Sequence, residues 1–271
     1  GATTPPASPS QPIADPERGP TDRVRSPQPS PAGSVVAFVV PTMDLEATRG
    51  DRNLWLAATD GSDTRRLTFH TASDWSPRWA DERRLYFLSS RSGTSQVWRM
   101  AIDGGEAEQV TDLPLDVEAF KIGPGLGALY LGIKVFPDCE DSMPCTVTRL
   151  EAEAEQTATG MIFDQTFVRH WDFWKDGRRN HVFRLALGDD GHPAGEPVDL
   201  MTGVDGDSPT VPWGGDGDFT ISPDDRQLVF TAKVVDGSSE TWSTDYDLWV
   251  VPTDGSTAPE KLTTGNRAWD A

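Results

Sequence analysis

Apolar and polar residues alternate in short runs along this chain, and the runs recur. Asn53-Leu54-Trp55-Leu56 is followed by Thr59-Asp60-Gly61 and then Arg66-Leu67-Thr68. Gln96-Val97-Trp98-Arg99 is followed by Ile102-Asp103-Gly104-Gly105 and then Gln109-Val110-Thr111. Asp247-Leu248-Trp249-Val250 is followed by Thr253-Asp254-Gly255 and then Lys261-Leu262-Thr263. A period of two with one apolar face predicts half-buried strands. Asp-Gly and Gly-Gly supply the positive φ of a tight hairpin turn, and the Leu-Thr or Val-Thr pair closes the returning strand. Trp55, Trp98 and Trp249 hold the same place in each unit, which makes them packing residues.

A second kind of strand precedes each of these hairpins. Ser30-Pro31-Ala32-Gly33 leads into Val35–Val39, and Ser222-Pro223-Asp224-Asp225 leads into Leu228–Ala232. Ser76-Pro77 leads by a longer route into Leu85–Leu88. Ser-Pro predicts a turn entrance, because proline sets φ and biases the residue before it to extended geometry. A degraded unit uses Leu129–Ile133, His181–Leu185, Asp190-Gly191 and Asp199-Leu200-Met201-Thr202. The surplus within it, about residues 136–177, reads as an insertion, with Glu151–Glu155 a short exposed helix. The first two tryptophans lie 43 positions apart, and a period of about 40–45 residues of short strands marks propeller blades. The expected fold is all-β: a partial β-propeller over residues 30–271, with about four blade-like units of four-stranded antiparallel sheets.

Residues 1–29 are rich in Pro, Ser, Thr and Ala. Such a composition cannot bury enough surface to offset chain entropy, so a flexible leader is expected. It fits a processed export substrate or a chain from which a tag has been removed; the residues do not separate the two. Net charge over 271 residues is −19, which argues against nucleic acid as a partner. No apolar run is long enough to span a membrane as a helix.

Candidate chemistry is sparse. Cys139 and Cys145 flank five residues. Zinc needs about four ligands, and His70, His170, His181 and His192 offer no paired spacing nearby. A small-loop disulfide is favoured over two free thiols and implies an oxidising compartment, periplasmic or secreted. Asp205-Gly206-Asp207 and Asp216-Gly217-Asp218 lack the rest of a calcium loop and read as turns. Gly123-Pro124-Gly125-Leu126-Gly127 is no phosphate loop. No metal and no cofactor is expected.

The sharpest resemblance lies in the insertion. Val135-Phe136-Pro137-Asp138-Cys139, Pro144-Cys145-Thr146 and Phe167-Val168-Arg169-His170-Trp171-Asp172-Phe173-Trp174-Lys175-Asp176-Gly177-Arg178 resemble bacterial exported peptidases of the prolyl oligopeptidase family, in its acylaminoacyl-peptidase and dipeptidyl-peptidase-like branch. Trp213-Gly214-Gly215 leading into Phe219–Asp224 fits the same branch. The resemblance covers about residues 30–271. It implies a seven- or eight-bladed propeller followed by an α/β-hydrolase domain holding a Ser-Asp-His triad, the propeller restricting access to short peptides. This chain departs from the pattern by breaking off where a new blade should begin, with the hydrolase domain absent. No Gly-x-Ser-x-Gly elbow occurs; Gly93-Thr94-Ser95-Gln96 lacks the second glycine. No catalytic residue is therefore nominated. Nor does a paired-glutamate motif for a substrate amine occur.

Arg169, His170, Trp171 and Asp172 are the candidates for facing the substrate tunnel, against the alternative of a structural turn. The expected role is that of the non-catalytic propeller of a serine peptidase acting on short peptides or acylated amino acids. The expected partners are the remaining blades and hydrolase domain, in the same or a second chain, and a peptide substrate. Four units leave open sheet faces, so Leu85, Val229 and Phe230 are expected to be exposed, and a longer parent chain, a second polypeptide or an oligomer is expected to cover them. The alternative is a Tol-like propeller that binds a protein partner without enzymatic activity.

Overall fold

A computed structural model describes residues 24–44, 49–139, 142–158, 160, 169–171, 173–235, 237–265 and 268–270, with the backbone alone at 43, 44, 49, 170 and 173. Residues 1–23 of the leader, Glu140, Phe167, Val168, Asp172, Asn266 and Arg267 lie outside them.

The described residues form four antiparallel sheets of four strands each. The first holds β1 (Arg25–Pro29), β2 (Val35–Asp44), β3 (Arg49–Ala58) and β4 (Thr64–Arg66), in that order. The second repeats the order with β5 (Asp74–Trp79), β6 (Arg84–Ser89), β7 (Gln96–Ala101) and β8 (Glu108–Gln109). The third begins with β9 (Val117–Ile122) and β10 (Ala128–Val135). An insertion follows, with helix α1 (Ser142–Ala154) and the hairpin β11 (Arg169–His170) and β12 (Phe173–Trp174). The sheet then resumes with β13 (Arg179–Ala186) and β14 (Val198–Asp199). The fourth holds β15 (Phe219–Ile221), β16 (Gln227–Ala232), β17 (Asp247–Pro252) and β18 (Glu260–Lys261). The architecture is all-β, as the repeats predict, and each repeat is one sheet.

Successive sheets stack face to face, and the period of two decides which neighbour each side chain meets. On β10, Leu129, Leu131, Ile133 and Val135 join Tyr86, Leu88 and Val97 of the second sheet. The intervening Ala128 and Tyr130 join Leu228, Phe230 and Ala232 of the fourth. Leu85 and Phe87 meet Ala37, Val39, Leu54 and Leu56 of the first. The expected exposure of Leu85 and Phe230 is thereby corrected: both are buried, because the adjacent sheet covers them. Val229 is half-buried, on the side of the fourth sheet facing away from the third. Trp98 and Trp249 pack against the clusters of their own sheets, while Trp55 is half-buried outside them.

Each sheet has the four strands expected of a blade; the repeats located three of them, and the remaining one precedes each turn: β1, β5, β9 and β15. Three of these strands are short or interrupted by proline, as in Arg25-Ser26-Pro27-Gln28-Pro29, so no alternation announces them. Two further expectations change. β1 lies inside the stretch read as leader and pairs with β2. Ser76-Pro77 is no turn entrance. It forms a bulge within β5, where the register shifts between Trp75 and Arg78 and Ser76 takes φ +52°. The turn lies later, where Asp81 Oδ1 accepts from the backbone N–H groups of Arg83 and Arg84 at 2.8 and 2.9 Å.

The threonine of each repeat has a defined task. The hydroxyls of Thr68, Thr111 and Thr263 accept from the backbone N–H of Leu54, Val97 and Leu248 at 3.0, 2.9 and 3.0 Å. Each preceding residue bonds the same strand through its backbone, Leu67 N–H to Leu54 O and Val110 N–H to Val97 O, for example. The hydroxyl proton of Thr111 goes to the buried Gln96 Oε1 at 2.7 Å. Thr263 donates to Asp247 Oδ1 at 3.2 Å. In the third sheet Met201 stands at the threonine position, and its Sδ takes the Val182 N–H at 3.3 Å. Thr111→Val keeps the shape but leaves a buried N–H and Gln96 short of partners. It should lower unfolding stability by about 1–3 kcal/mol, read from urea denaturation, with no change in m-value.

Candidate functional site

In a four-stranded antiparallel sheet, the loop between the second and third strands emerges at the same rim as the connector to the next sheet. The insertion therefore shares one rim with the connector from β14 to β15 and with the loop from β16 to β17. Its base is fastened to the third sheet. Cys139 and Cys145 form a disulfide at the start of α1, with Cα atoms 5.8 Å apart. Thr146 Oγ1 donates to Ser142 O at 2.5 Å and accepts from Phe136 N–H at 2.9 Å. Arg149 forks onto both oxygens of Asp138 at 2.8 Å and stacks over Phe136. The helix expected near Glu151–Glu155 is present and begins earlier, because the disulfide and the Thr146 bonds anchor its first turns.

Of the four sequence candidates, Arg169 and His170 form β11, opposite Trp174 and Phe173. Only the backbone of His170 is described, and Asp172 lies outside the described residues. Trp171 turns the hairpin with φ +52°, a left-handed conformation that a bulky side chain seldom adopts. Arg169 Nε donates to Trp171 O at 2.6 Å, and the guanidinium lies 5.3 Å from the Trp174 ring centre. Trp171 meets Trp213 of the connector edge to face, at 4.9 Å. Trp171, Trp213 and Trp242 are all exposed, so three loops of one rim present large aromatic surfaces.

Beneath the hairpin lies an ionic network that sequence reasoning missed. Lys175 Nζ bonds Asp207 Oδ2 at 2.9 Å and also contacts Glu240 Oε1. Arg179 Nε bonds Asp205 Oδ1 at 2.6 Å, and its Nη1 lies 3.2 Å from Glu240. Asp207 Oδ1 accepts the Asn180 backbone N–H at 2.9 Å. Lys233 Nζ caps the β16–β17 loop through the carbonyls of Glu240 and Ser243. Burial alone would raise the Glu240 carboxyl, but Lys175 and Arg179 together hold it below its ordinary range. Burial lowers the Lys233 amine. The partners lie 26 to 65 residues apart, and no local pattern could have paired them.

The connector itself is tightly folded. Asp218 Oδ2 accepts from both the N–H and the hydroxyl of Thr210 at 2.7 Å. A Cβ on Gly214 would stand 2.2 Å from Thr210 O, so glycine is required where this backbone doubles back. The two Asp-Gly-Asp stretches thus spend their carboxylates on Lys175, Arg179, Thr210 and, through Asp216, on Arg78 at 2.5 Å. Arg78 and Asp216 line a cavity of about 410 Å³ with Gln28, Trp79 and Lys121, residues of the first three sheets and of the connector entering the fourth. A wider cleft of about 900 Å³ lies between α1 and residues 196–199. Ser95 donates its hydroxyl to Val117 O at 2.7 Å, and no histidine is among its hydrogen-bond partners.

No family model matches the chain. It is similar to dipeptidyl-peptidase 5 of Porphyromonas gingivalis, with 27% identity over 224 residues, covering 82% of this chain and 31% of that protein. Dipeptidyl-peptidase 5 of Aspergillus fumigatus is 27% identical over 246 residues, 84% of this chain and 32% of its own length. The chain spans about a third of the length of the curated relatives it matches. Among solved structures, Pyrococcus horikoshii acylaminoacyl peptidase superposes with a TM-score of 0.55 at 14% identity, over 89% of this chain and 32% of that one. A puromycin hydrolase superposes with a TM-score of 0.50 at 16% identity, over 92% and 29%. These structures share the fold. The relatives bear out the resemblance drawn from the insertion, that of the propeller part of a prolyl oligopeptidase family peptidase.

The network has a pH signature. Because the Glu240 carboxyl is held low, its stabilisation is complete at neutral pH and fades as acid takes the pH below the usual carboxylate range. Glu240→Gln should cost about 1.5–3 kcal/mol at pH 7, and the gap from the unaltered chain should narrow below about pH 4. Thermal melts of both chains from pH 7 to pH 3 check this.

Proposed function

We propose that this chain is the non-catalytic propeller portion of an exported serine peptidase of the prolyl oligopeptidase family. Such an enzyme hydrolyses short peptides or acylated amino acids, and the propeller restricts and selects what reaches the serine. The observation that carries the reading is the match to dipeptidyl-peptidase 5 over four-fifths of this chain and only a third of the relative. The sequence itself supports it: no Gly-x-Ser-x-Gly elbow occurs, and Ser95 is engaged by a backbone carbonyl. The disulfide favours an oxidising compartment, periplasmic or extracellular. Among the described residues no helix is long and apolar enough to cross a membrane. Arg169, His170, Trp171 and Asp172 are assigned to the substrate-facing rim, supported by the exposed tryptophans around them. The remaining partner is a hydrolase domain carrying nucleophile, base and oxyanion hole.

The test compares residues 1–271 alone with the longest polypeptide the gene encodes. The segment alone should not hydrolyse peptide or ester substrates, and the longer protein should cleave short peptides or acylated amino acids. A serine-directed organophosphonate should abolish that activity and label a residue beyond position 271. Turnover by the isolated segment, with a labelled serine within it, would overturn the reading.

A further inference from the structure

β14 is the outermost strand of the third sheet, and it is only two residues long. So short an edge leaves Val198 43% exposed. Helix α1 stands opposite. Its Met143, Val147 and Leu150 recur at helical spacing and pack on the cluster that holds Leu115, Val135 and Phe183. The cleft of about 900 Å³ lies between helix and strand, a size at the upper end for small-molecule sites. Leu113, Met143, Val147, Phe183 and Val198 give it a largely apolar lining.

Both walls are fixed by the chain itself. The disulfide, the two bonds of Thr146 and the Arg149–Asp138 fork tie α1 to the end of β10. Across the cleft, Leu200 N–H donates to Val182 O at 3.0 Å. Asp199 Oδ1 accepts the Met201 N–H at 2.8 Å, and its Oδ2 meets His181 Nδ1 at 2.9 Å. The turn after β17 comes against the same strand. A Cβ on Gly255, at φ +66°, would stand 2.9 Å from Val198 Cγ1, so bare backbone is required there. A cleft held open in this way spends little of a ligand's binding energy on ordering its walls.

The charge of the cleft has one sign. Asp112, Glu196 and Asp199 line it, and no lysine, arginine or histidine is among the described residues that do. Asp199 is committed to His181 and to the backbone. Asp112, in the connector from β8 to β9, and Glu196, in the approach to β14, are exposed. Among the described residues neither carboxylate has a hydrogen bond or an ion pair. An apolar body is therefore offered a lining, and a cation attached to it is offered carboxylates on the solvent side. An anion meets the same carboxylates and a chain of net charge −19. We propose that the cleft between α1 and β14 binds a small organic cation with an apolar body, an amphipathic amine. The site uses none of the residues assigned to the substrate-facing rim, and it stands whether or not the peptidase reading does.

Three probes with one aromatic body test this. Dansylcadaverine carries a primary ammonium, its N-acetyl derivative is neutral, and dansyl-6-aminohexanoate is an anion. Binding to the longest polypeptide the gene encodes is read from dansyl fluorescence anisotropy at low ionic strength. The amine should bind saturably and about ten-fold more tightly than the acetylated probe, with the anion weakest. Added salt should narrow that gap. Asp112→Asn with Glu196→Gln should bring the amine down to the acetylated probe, whose own affinity should stay within about two-fold. That retained affinity shows the cleft intact. Val198→Lys, at a side chain already exposed, should weaken the amine and the acetylated probe by about five-fold or more, because it removes apolar lining and adds a cation. Equal affinity for the three probes, or no saturable binding, overturns the site. Amine binding retained in either variant places it elsewhere and also overturns the proposal. Loss of the acetylated probe from the double variant overturns the part given to the two carboxylates.

Discussion

A buried backbone N–H on the third strand of each sheet needs an acceptor, and the fold depends on how that need is met. The fourth strand is only two or three residues long, too short to satisfy the third strand by its ladder alone. The side chain just beyond it completes the pairing. In three sheets that side chain is threonine, whose hydroxyl accepts the N–H, and in Thr111 and Thr263 donates as well. The residue preceding the bonded N–H is buried and polar in each case: Asn53, Gln96 and Asp247. An unmet N–H there would cost more than the bond returns, so the position tolerates few residue types. That constraint is why the repeat is visible.

The third sheet shows what happens when the threonine is lost. Met201 offers a thioether, a weak acceptor. The position equivalent to Asn53, Gln96 and Asp247 is His181, whose ring nitrogens meet Asp199 Oδ2 at 2.9 Å and Val204 O at 3.0 Å. The polar satisfaction has moved from the strand end to a histidine bridge. The same sheet, like the second, is covered on both faces. Its apolar packing offsets the weaker lock, and it carries the insertion on its rim.

What was legible in the sequence follows from this. The three threonine units, the hairpin turns and the bounds of the insertion were readable because each answers to a local rule of pairing or φ. The innermost strands were not. Arg25–Pro29 and Phe219–Ile221 are short, carry no clean alternation, and are ordered by the sheets around them. Ser76-Pro77 looked like Ser30-Pro31 because a bulge and a turn ask for the same residue types. At the site, the aromatic hairpin was legible as an unusual string of residues. The charges that hold it were not, because Lys175, Arg179, Asp207 and Glu240 meet only through tertiary structure.

The connector from β14 to β15 ties these features into one arrangement. Its early part, through Asp205 and Asp207, holds the root of the inserted hairpin. Its middle presents Trp213 to Trp171. Its end, through Asp218 and Asp216, is folded onto Thr210 and reaches Arg78 of β5. The stretch is braced at both ends by charged contacts and at its centre by a glycine that admits no side chain. One braced loop therefore carries both the support of the inserted hairpin and the salt bridge to the second sheet.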